Sequence, residues 1–260
     1  MLNFDAVIFD MDGVITKTAA VHSLAWKRTF DEYLQYRRKK HAEPFREFTH
    51  THDYLTFVDG LPRYQGVVSF LKSRGMNIPF GVPEDKPGKE TVCGLGNRKN
   101  ELFNELLTVE GVGLYDSTLK LIAELLESGV KAGIATSSKN CEAILEKTGI
   151  AHLFETRVDG VVSAEMCLKG KPEPDIFTTA CKKLGVQPHR AIVVEDAASG
   201  VQAGFRGQFG LVIGVARENN ADELMTQGAD FVVADLSELT VDKLDRLIGS
   251  KRGGKKPPRP

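Results

Sequence analysis

The apolar positions of the chain follow two different rhythms, and the change falls near Gly113. Ala6 to Phe9 is a short unbroken apolar run, too short for a helix and ended by polar residues and glycine, so it predicts a buried strand. From Ala19 to about Tyr36 the apolar residues Val21, Leu24, Ala25, Phe30 and Leu34 recur at helical spacing. The basic run Arg37 to Lys40 closes that helix on its solvated face, where the helix dipole favours cations. Between Ala42 and Leu107 the pattern is helical but broken. Tyr54 to Val58 is a short apolar piece, Asp59 to Arg63 a turn, and Tyr64 to Ser73 a second amphipathic helix. Gly75 to Gly96, rich in Gly and Pro, predicts an irregular loop, and Asn97 or Asn100 is expected to cap a helix reaching about Thr108. No strand alternation occurs here, so this stretch reads as a small helical unit inserted into something else.

Beyond Gly113 helix and strand patterns alternate. Helices are expected at about Ser117 to Glu127, Lys139 to Thr148, Pro174 to Leu184, from Ala198 onward, and near Ala221 to Gln227. Strands are expected at Lys131 to Ala135, Thr156 to Val158, Ala191 to Val194, Leu211 to Val215 and Phe231 to Ala234. That rhythm predicts an α/β fold, a parallel sheet with helices on both faces and right-handed crossovers.

Composition narrows the function classes. At 260 residues, 42% hydrophobic and 27% charged, the chain can bury a real core. A formal net charge of −1 exerts no long-range pull on nucleic acid. No apolar run approaches the roughly 20 residues of a membrane span. Cys93, Cys141, Cys167 and Cys181 have no metal-ligand spacing and no signal peptide precedes them, so they read as reduced thiols of a cytoplasmic protein. Nothing marks an obligate protein partner. The tail from 250 to 260 holds too little apolar content to fold and is expected to be disordered.

In an open parallel sheet, ligands bind beyond the carboxyl ends of the strands. The first strand ends in Asp10, Asp12 and Gly13, and residues i and i+2 of extended chain share a face. The second ends in Thr136-Ser137-Ser138-Lys139-Asn140, hydroxyls and amides that open a helix and suit a phosphate. A Pro-stiffened turn, Gly170-Lys171-Pro172-Glu173-Pro174-Asp175, offers a lysine. Another strand ends in Glu195-Asp196-Ala197-Ala198-Ser199-Gly200. Taken singly these are caps, turn residues and a surface lysine; gathered at the strand ends of one sheet they point to phosphoryl transfer. Carboxylates with a phosphate oxygen make a hard oxygen site for Mg²⁺, a lysine and a threonine orient phosphoryl oxygens, and a carboxylate can attack phosphorus. No Gly-x-x-x-x-Gly-Lys-[Ser/Thr] occurs, which disfavours a P-loop kinase.

These four motifs, in order, resemble those of the haloacid dehalogenase superfamily. The resemblance implies a Rossmann-like core (residues 1–15 and 111–249) with an inserted α-helical cap at about 16–110. It further implies Asp10 as nucleophile and Asp12 as general acid/base. Mg²⁺ would be held by Asp10, the Asp12 main-chain carbonyl and Asp196, with Glu195 close by. Gly13 to Lys27, Ser138-Lys139-Asn140 and Arg98-Lys99-Asn100 resemble the β-phosphoglucomutase branch more narrowly. By that likeness Thr18, His22, Gly60, Arg63 and Lys99 contact substrate from the cap, and Ser137, Ser138 and Asn140 from the core, with Thr136 and Lys171 completing the catalytic set. On residue type alone, His22 and Lys99 read as an exposed helix histidine and a solvated lysine. Two features depart from the branch: Asp59 stands where it usually has Lys, and the stretch from Gly75 to Gly96 is longer. The expectation is a Mg²⁺-dependent sugar-phosphate mutase interconverting β-glucose 1-phosphate and glucose 6-phosphate through a bisphosphate. The rival readings are a phosphatase of the same superfamily and a catalytically dead sugar-phosphate sensor.

Overall fold

The structure, a computed structural model, describes residues 2–252. From the N-terminus, β1 (Ala6–Phe9) is followed by α1 (Ala19–His41), a π-helical turn (His50–Tyr54), α2 (Leu55–Phe57), α3 (Arg63–Ser73) and α4 (Val92–Glu110). Then come α5 (Asp116–Glu127), β2 (Lys131–Ala135), α6 (Cys141–Thr148), β3 (Thr156–Val158), α7 (Gly160–Glu165) and α8 (Asp175–Leu184). The chain continues through β4 (Ala191–Glu195), α9 (Ala198–Arg206), β5 (Leu211–Val215), α10 (Ala221–Thr226), β6 (Phe231–Val233) and α11 (Val241–Arg252). Met1–Lys17 with Gly113–Pro260 forms one compact unit, and Thr18–Val112 a second.

In the first unit six parallel strands stand in the order β3-β2-β1-β4-β5-β6. Every residue of β1, β4 and β5 is buried, as continuous apolar runs require when helices cover both faces. β1 is the switch point: the chain runs from it through β2 to β3 on one side, then crosses back to β4 on the other, and such a reversal opens a crevice beyond the carboxyl ends. Register puts Phe9 level with Ile134 and Val194, so Asp10 emerges level with Glu195 on one side and with Ala135, one residue short of Thr136, on the other. Ile8, Val193, Val212, Phe177 and Phe209 belong to one apolar cluster that seats α8 and α9 on the sheet.

The second unit is helical. Its core is aromatic: Trp26, Phe30, Phe48 and Phe70 pack with Leu34, Val67 and Leu95, with Phe30 and Phe70 ring centroids 4.1 Å apart. α1 runs five residues past the expected Tyr36, through the basic run, because partners wait for it there. Arg37 pairs with Glu43 and Glu90, and Lys40 reaches Glu90 at 3.1 Å. Glu90 also accepts from the Tyr33 hydroxyl at 3.2 Å, so these bonds tie the 75–91 loop to α1.

Some expectations need correction. α4 begins at Val92, inside the stretch expected to be loop up to Gly96. Its cap is Thr91, whose hydroxyl accepts from the Gly94 amide at 3.0 Å, rather than Asn97 or Asn100. Gly94 and Gly96 are helical because space demands glycine: a Cβ on Gly96 would stand 2.7 Å from the Tyr64 ring. α7 and α11 were not expected. α11 carries Val241, Leu244, Leu247 and Ile248 on one face and takes in Ser250 to Arg252, the start of the expected tail; its remainder, 253–260, lies outside the described residues. No helix among the described residues is long and apolar enough to cross a membrane.

Candidate active site

The loops beyond β1, β2 and β4 bring the expected core residues together. Asp10 follows directly from β1, its amide still bonded to the Val194 carbonyl at 2.9 Å, and its carboxylate is buried. Lys171, almost fully buried, donates to Asp10 Oδ1 at 2.6 Å and to Glu195 Oε1. The other Glu195 oxygen accepts from the Ala197 amide at 2.7 Å, so both oxygens of Glu195 are engaged. The Lys171 ammonium also lies 5.0 Å from the Phe177 ring centroid, a cation–π contact that adds to its hold.

Electrostatics at this cluster pull in two directions. Burial works against a charged Lys171, but the Asp10 and Glu195 carboxylates outweigh it and keep the ammonium protonated well beyond the ordinary lysine range. Burial pushes the Asp10 carboxyl up, Lys171 opposes the push, and Glu195 and Asp12 add to it. One buried ammonium facing this set of carboxylates leaves the site short of positive charge.

Two glycines make room for the second carboxylate pair. A Cβ on Gly13, at φ +81°, would stand 1.7 Å from Asp196 Oδ2, and a Cβ on Gly200 would stand 1.7 Å from Glu195 Oε1. Asp196 is thus pressed against the turn that carries Asp12. Among the described residues no three His, Cys, Asp or Glu side chains converge as a ready-made metal cage. Mg²⁺ does not need one, since it keeps several waters and takes one or two carboxylates with substrate phosphate oxygens. Asp10 and Asp196, in a pocket short of positive charge and cradled by Gly13, fit that requirement.

Thr136 is buried at the end of β2, with its amide on the Val158 carbonyl at 3.0 Å. Its Oγ1 accepts from the Ser138 amide at 3.2 Å, which leaves the hydroxyl proton to donate elsewhere. Ser138 Oγ accepts from the Asn140 amide at 3.2 Å, so the 136–140 loop is curled by its own side chains ahead of α6. Ser137 and Asn140 lie half-buried on that loop. Burial pushes the neighbouring Cys141 thiol far up and Cys181 up to about 12, so neither is a nucleophile at neutral pH.

The expected cap residues all fall in the second unit. Thr18 is buried at the start of α1 and its carbonyl accepts from the His22 amide at 2.9 Å. His22 and Lys99 are not the solvated pair that residue type suggests. Lys99 Nζ lies 2.5 Å from His22 Nδ1, 4.6 Å from the Phe103 ring centroid and 5.2 Å from that of Trp26. Lysine must be the donor, which places the imidazole proton on Nε2. Gly60 takes φ +69° in the turn before α3, and Arg63 opens that helix. Arg63 Nη2 donates to Asn100 Oδ1 at 2.7 Å. Burial lowers its pKa, and among the described residues no carboxylate pairs with it, Asp59 included. The unit also holds a cavity of about 450 Å³ lined by Tyr33, Tyr36, Glu90 and Arg98. Its charges are satisfied internally, Arg98 by Glu32 and Glu101, and Glu90 by Lys40.

Sequence reasoning missed one group next to this site: Tyr115, Arg217 and Asp235, which gather behind Gly13. No local signal marks them, since their positions lie far apart in the chain.

A haloacid dehalogenase-like hydrolase family model matches residues 4–207. The chain is 44% identical over 237 residues to a protein named beta-phosphoglucomutase from Mycobacterium bovis, covering 90% of each chain. It is 32% identical over 244 residues to the beta-phosphoglucomutase of Bacillus subtilis, covering 92% of this chain and 93% of that one. Among solved structures, a beta-phosphoglucomutase from Clostridium difficile shares the fold at a TM-score of 0.75 and 23% identity, with 96% of this chain and 99% of that chain covered.

Proposed function

The chain belongs to the haloacid dehalogenase-like hydrolase family and is an enzyme of its phosphomutase and phosphatase type; from that premise we propose that it is a sugar-phosphate mutase interconverting β-glucose 1-phosphate and glucose 6-phosphate. The observation that carries the mutase over the phosphatase is Arg63, a half-buried guanidinium with an amide oxygen but, among the described residues, no carboxylate for a partner. Such a group is satisfied by an anion from outside, and the fork of a guanidinium matches phosphate oxygens. A mutase passing through a bisphosphate has a second phosphate to hold; a phosphatase has none. The likeness to relatives named beta-phosphoglucomutase supports the same reading.

In this reading the ionised Asp10 attacks phosphorus, the bond from phosphorus to the donor oxygen breaks, and an aspartyl-phosphate forms. Asp12 gives its proton to the departing sugar oxygen and takes one back from the hydroxyl that attacks next. Lys171 neutralises the phosphoryl oxygens beside Asp10, and Glu195 holds Lys171 there. Thr136 and the amides and hydroxyls of Ser137, Ser138 and Asn140 steady the transferring group, while Thr18, His22, Gly60 and Lys99 serve the sugar side. Mg²⁺, held by Asp10, Asp196 and the Asp12 carbonyl, would screen charge between the entering phosphate and the carboxylates. Release of the phosphoryl group to water instead of sugar is the competing outcome.

The test is β-glucose 1-phosphate with and without a glucose bisphosphate activator, scoring glucose 6-phosphate against free phosphate. Arg63→Ala should depress isomerisation roughly 10- to 100-fold, the equivalent of a charge-assisted bond of about 1.5–3 kcal/mol. Phosphorylation of Asp10 by acetyl phosphate should change little. Free phosphate as the sole product from wild type, or equal losses in both assays, refutes the mutase.

A further inference from the structure

Arg217 leaves the end of β5 as if for solvent, yet its guanidinium folds back over the strand ends of the first unit. Nε donates to the Gly13 carbonyl at 3.0 Å. Nη1 donates to the Ala234 carbonyl at 3.2 Å and to Asp235 Oδ2 at 2.9 Å. The guanidinium carbon lies 3.7 Å from the centroid of the Tyr115 ring. The anchor is itself braced, since Asp235 Oδ2 accepts from the Ser117 hydroxyl at 2.9 Å. Nη2, by contrast, is buried with no hydrogen-bond partner among the described residues. A buried donor left unmade is destabilising. Stability alone would not select an arrangement that spends one donor this way, and the contact it secures is the Gly13 carbonyl.

That carbonyl belongs to the turn that holds Asp12. The Gly13 amide is bonded to the Thr16 carbonyl at 2.8 Å, which fixes the peptide plane shared by Asp12 and Gly13. Arg217 fixes the following plane. The next two carbonyls are caught by the start of α5: Val14 by the Thr118 hydroxyl at 2.7 Å and Ile15 by the Tyr115 amide at 3.0 Å. The opposite side of Gly13 meets Asp196. Gly13 is therefore gripped between a carboxylate on the site side and a guanidinium behind, and lacks a side chain that would separate them.

We propose that Arg217 is a positioning residue for phosphoryl transfer: by holding the Gly13 carbonyl it sets the Asp12–Gly13 turn against Asp196, and with it the site's affinity for a divalent cation and the aim of Asp12. This rests on the roles given above to Asp12 and Asp196. Arg217 touches neither phosphate nor metal in this account and acts through backbone alone.

The test uses Arg217→Met, which keeps the stem against Tyr115 but removes every donor, and Arg217→Lys, which keeps charge and a single donor site. Binding of Mn²⁺ to each substrate-free protein is read by electron paramagnetic resonance, alongside thermal melting, kcat and KM. Loss of a group that orients a metal site costs about 10–100-fold in affinity, so Arg217→Met should weaken Mn²⁺ by at least about tenfold. kcat should fall with KM for sugar phosphate nearly unchanged, and Arg217→Lys should recover part of both losses. Wild-type Mn²⁺ affinity in folded Arg217→Met overturns the proposal. So does failure of both variants to fold, which makes Arg217 a strut of the fold. If wild type neither binds Mn²⁺ nor forms an aspartyl-phosphate, the proposed function fails; if it does both and the variants match it, this inference alone fails.

Discussion

Lys171 is where charge balance and chemistry coincide, and replacing it with methionine separates them. Methionine fills a similar volume, so packing around the site changes little. What changes is charge: Asp10 and Glu195 face one another in a buried site with no ammonium between them. Breaking a buried ion pair by removing one partner costs about 3–5 kcal/mol. At roughly 2–4 °C per kcal/mol for a unit of this size, the first unit should melt on the order of 10 °C lower at pH 7.5 in chelator. The sign of the pH dependence follows. In the variant Asp10, whose carboxyl burial already pushes up, loses the ammonium that opposed the push, so the deficit is present at neutral pH and shrinks on acidification as that carboxyl takes a proton. In wild type the Lys171 pKa is raised, so its contribution persists through neutral pH and is lost only above the ordinary lysine range. Calorimetric melts of both proteins from pH 5 to 8.5 measure this directly. Identical melting at pH 7.5, or a deficit that grows on acidification, would refute the charge-compensation argument.

Asp10→Asn, near-isosteric, should melt close to wild type yet form no acyl-phosphate from acetyl phosphate, as intact-protein mass shows. Gly200→Ala places a methyl where Glu195 Oε1 stands; displacing that carboxylate from Lys171 should cost roughly 2–4 kcal/mol and most of the activity, read by denaturation and turnover together. In the second unit, burial works against the Asp53 charge, but bonds from the Thr49 amide, Arg74 and the Thr49 hydroxyl hold its carboxyl below the usual range. A depressed pKa stabilises above the unfolded value and the benefit vanishes as pH falls through the folded one. Asp53→Asn should therefore destabilise this unit at pH 7, on the order of 2 kcal/mol, and progressively less as the pH falls below the ordinary aspartate value, by circular dichroism down the acid range.

Most of the sheet was legible because its strands are apolar runs bounded by turns, a local signal. β1, β2, β3 and β5 stand at their expected bounds, while β4 extends by Glu195 and β6 stops at Val233. The errors have physical causes. Gly94 and Gly96 look like loop residues, yet they are glycine because Lys89 and Tyr64 press on them, a contact no local window contains. α11 has a readable apolar face in Val241, Leu244, Leu247 and Ile248, but charges at Asp242, Lys243, Asp245 and Arg246 dilute its mean hydropathy. α1 outran its apolar pattern because its last turn is held by ion pairs to Glu43 and Glu90 rather than by burial.

For the site, legibility divides by how each residue is placed. Asp10, Thr136 and Glu195 end strands, and a parallel sheet brings its strand ends to one edge, so their convergence follows from topology once the strands are found. Lys171 lies on no strand, and its burial between two carboxylates comes from packing of the 170–175 turn. His22 and Lys99 sit 77 residues apart and meet against Phe103, the lysine buried and the histidine half-buried, where residue type pointed to solvent. Arg217 is the extreme case, 204 positions from the carbonyl it holds and flanked by residues that read as an ordinary loop. A residue whose work is to bond a distant carbonyl leaves no period, spacing or neighbour in the sequence. Groups that touch the reacting phosphate sit on the scaffold's own geometry, while those that aim them are drawn from wherever packing brings a donor within reach.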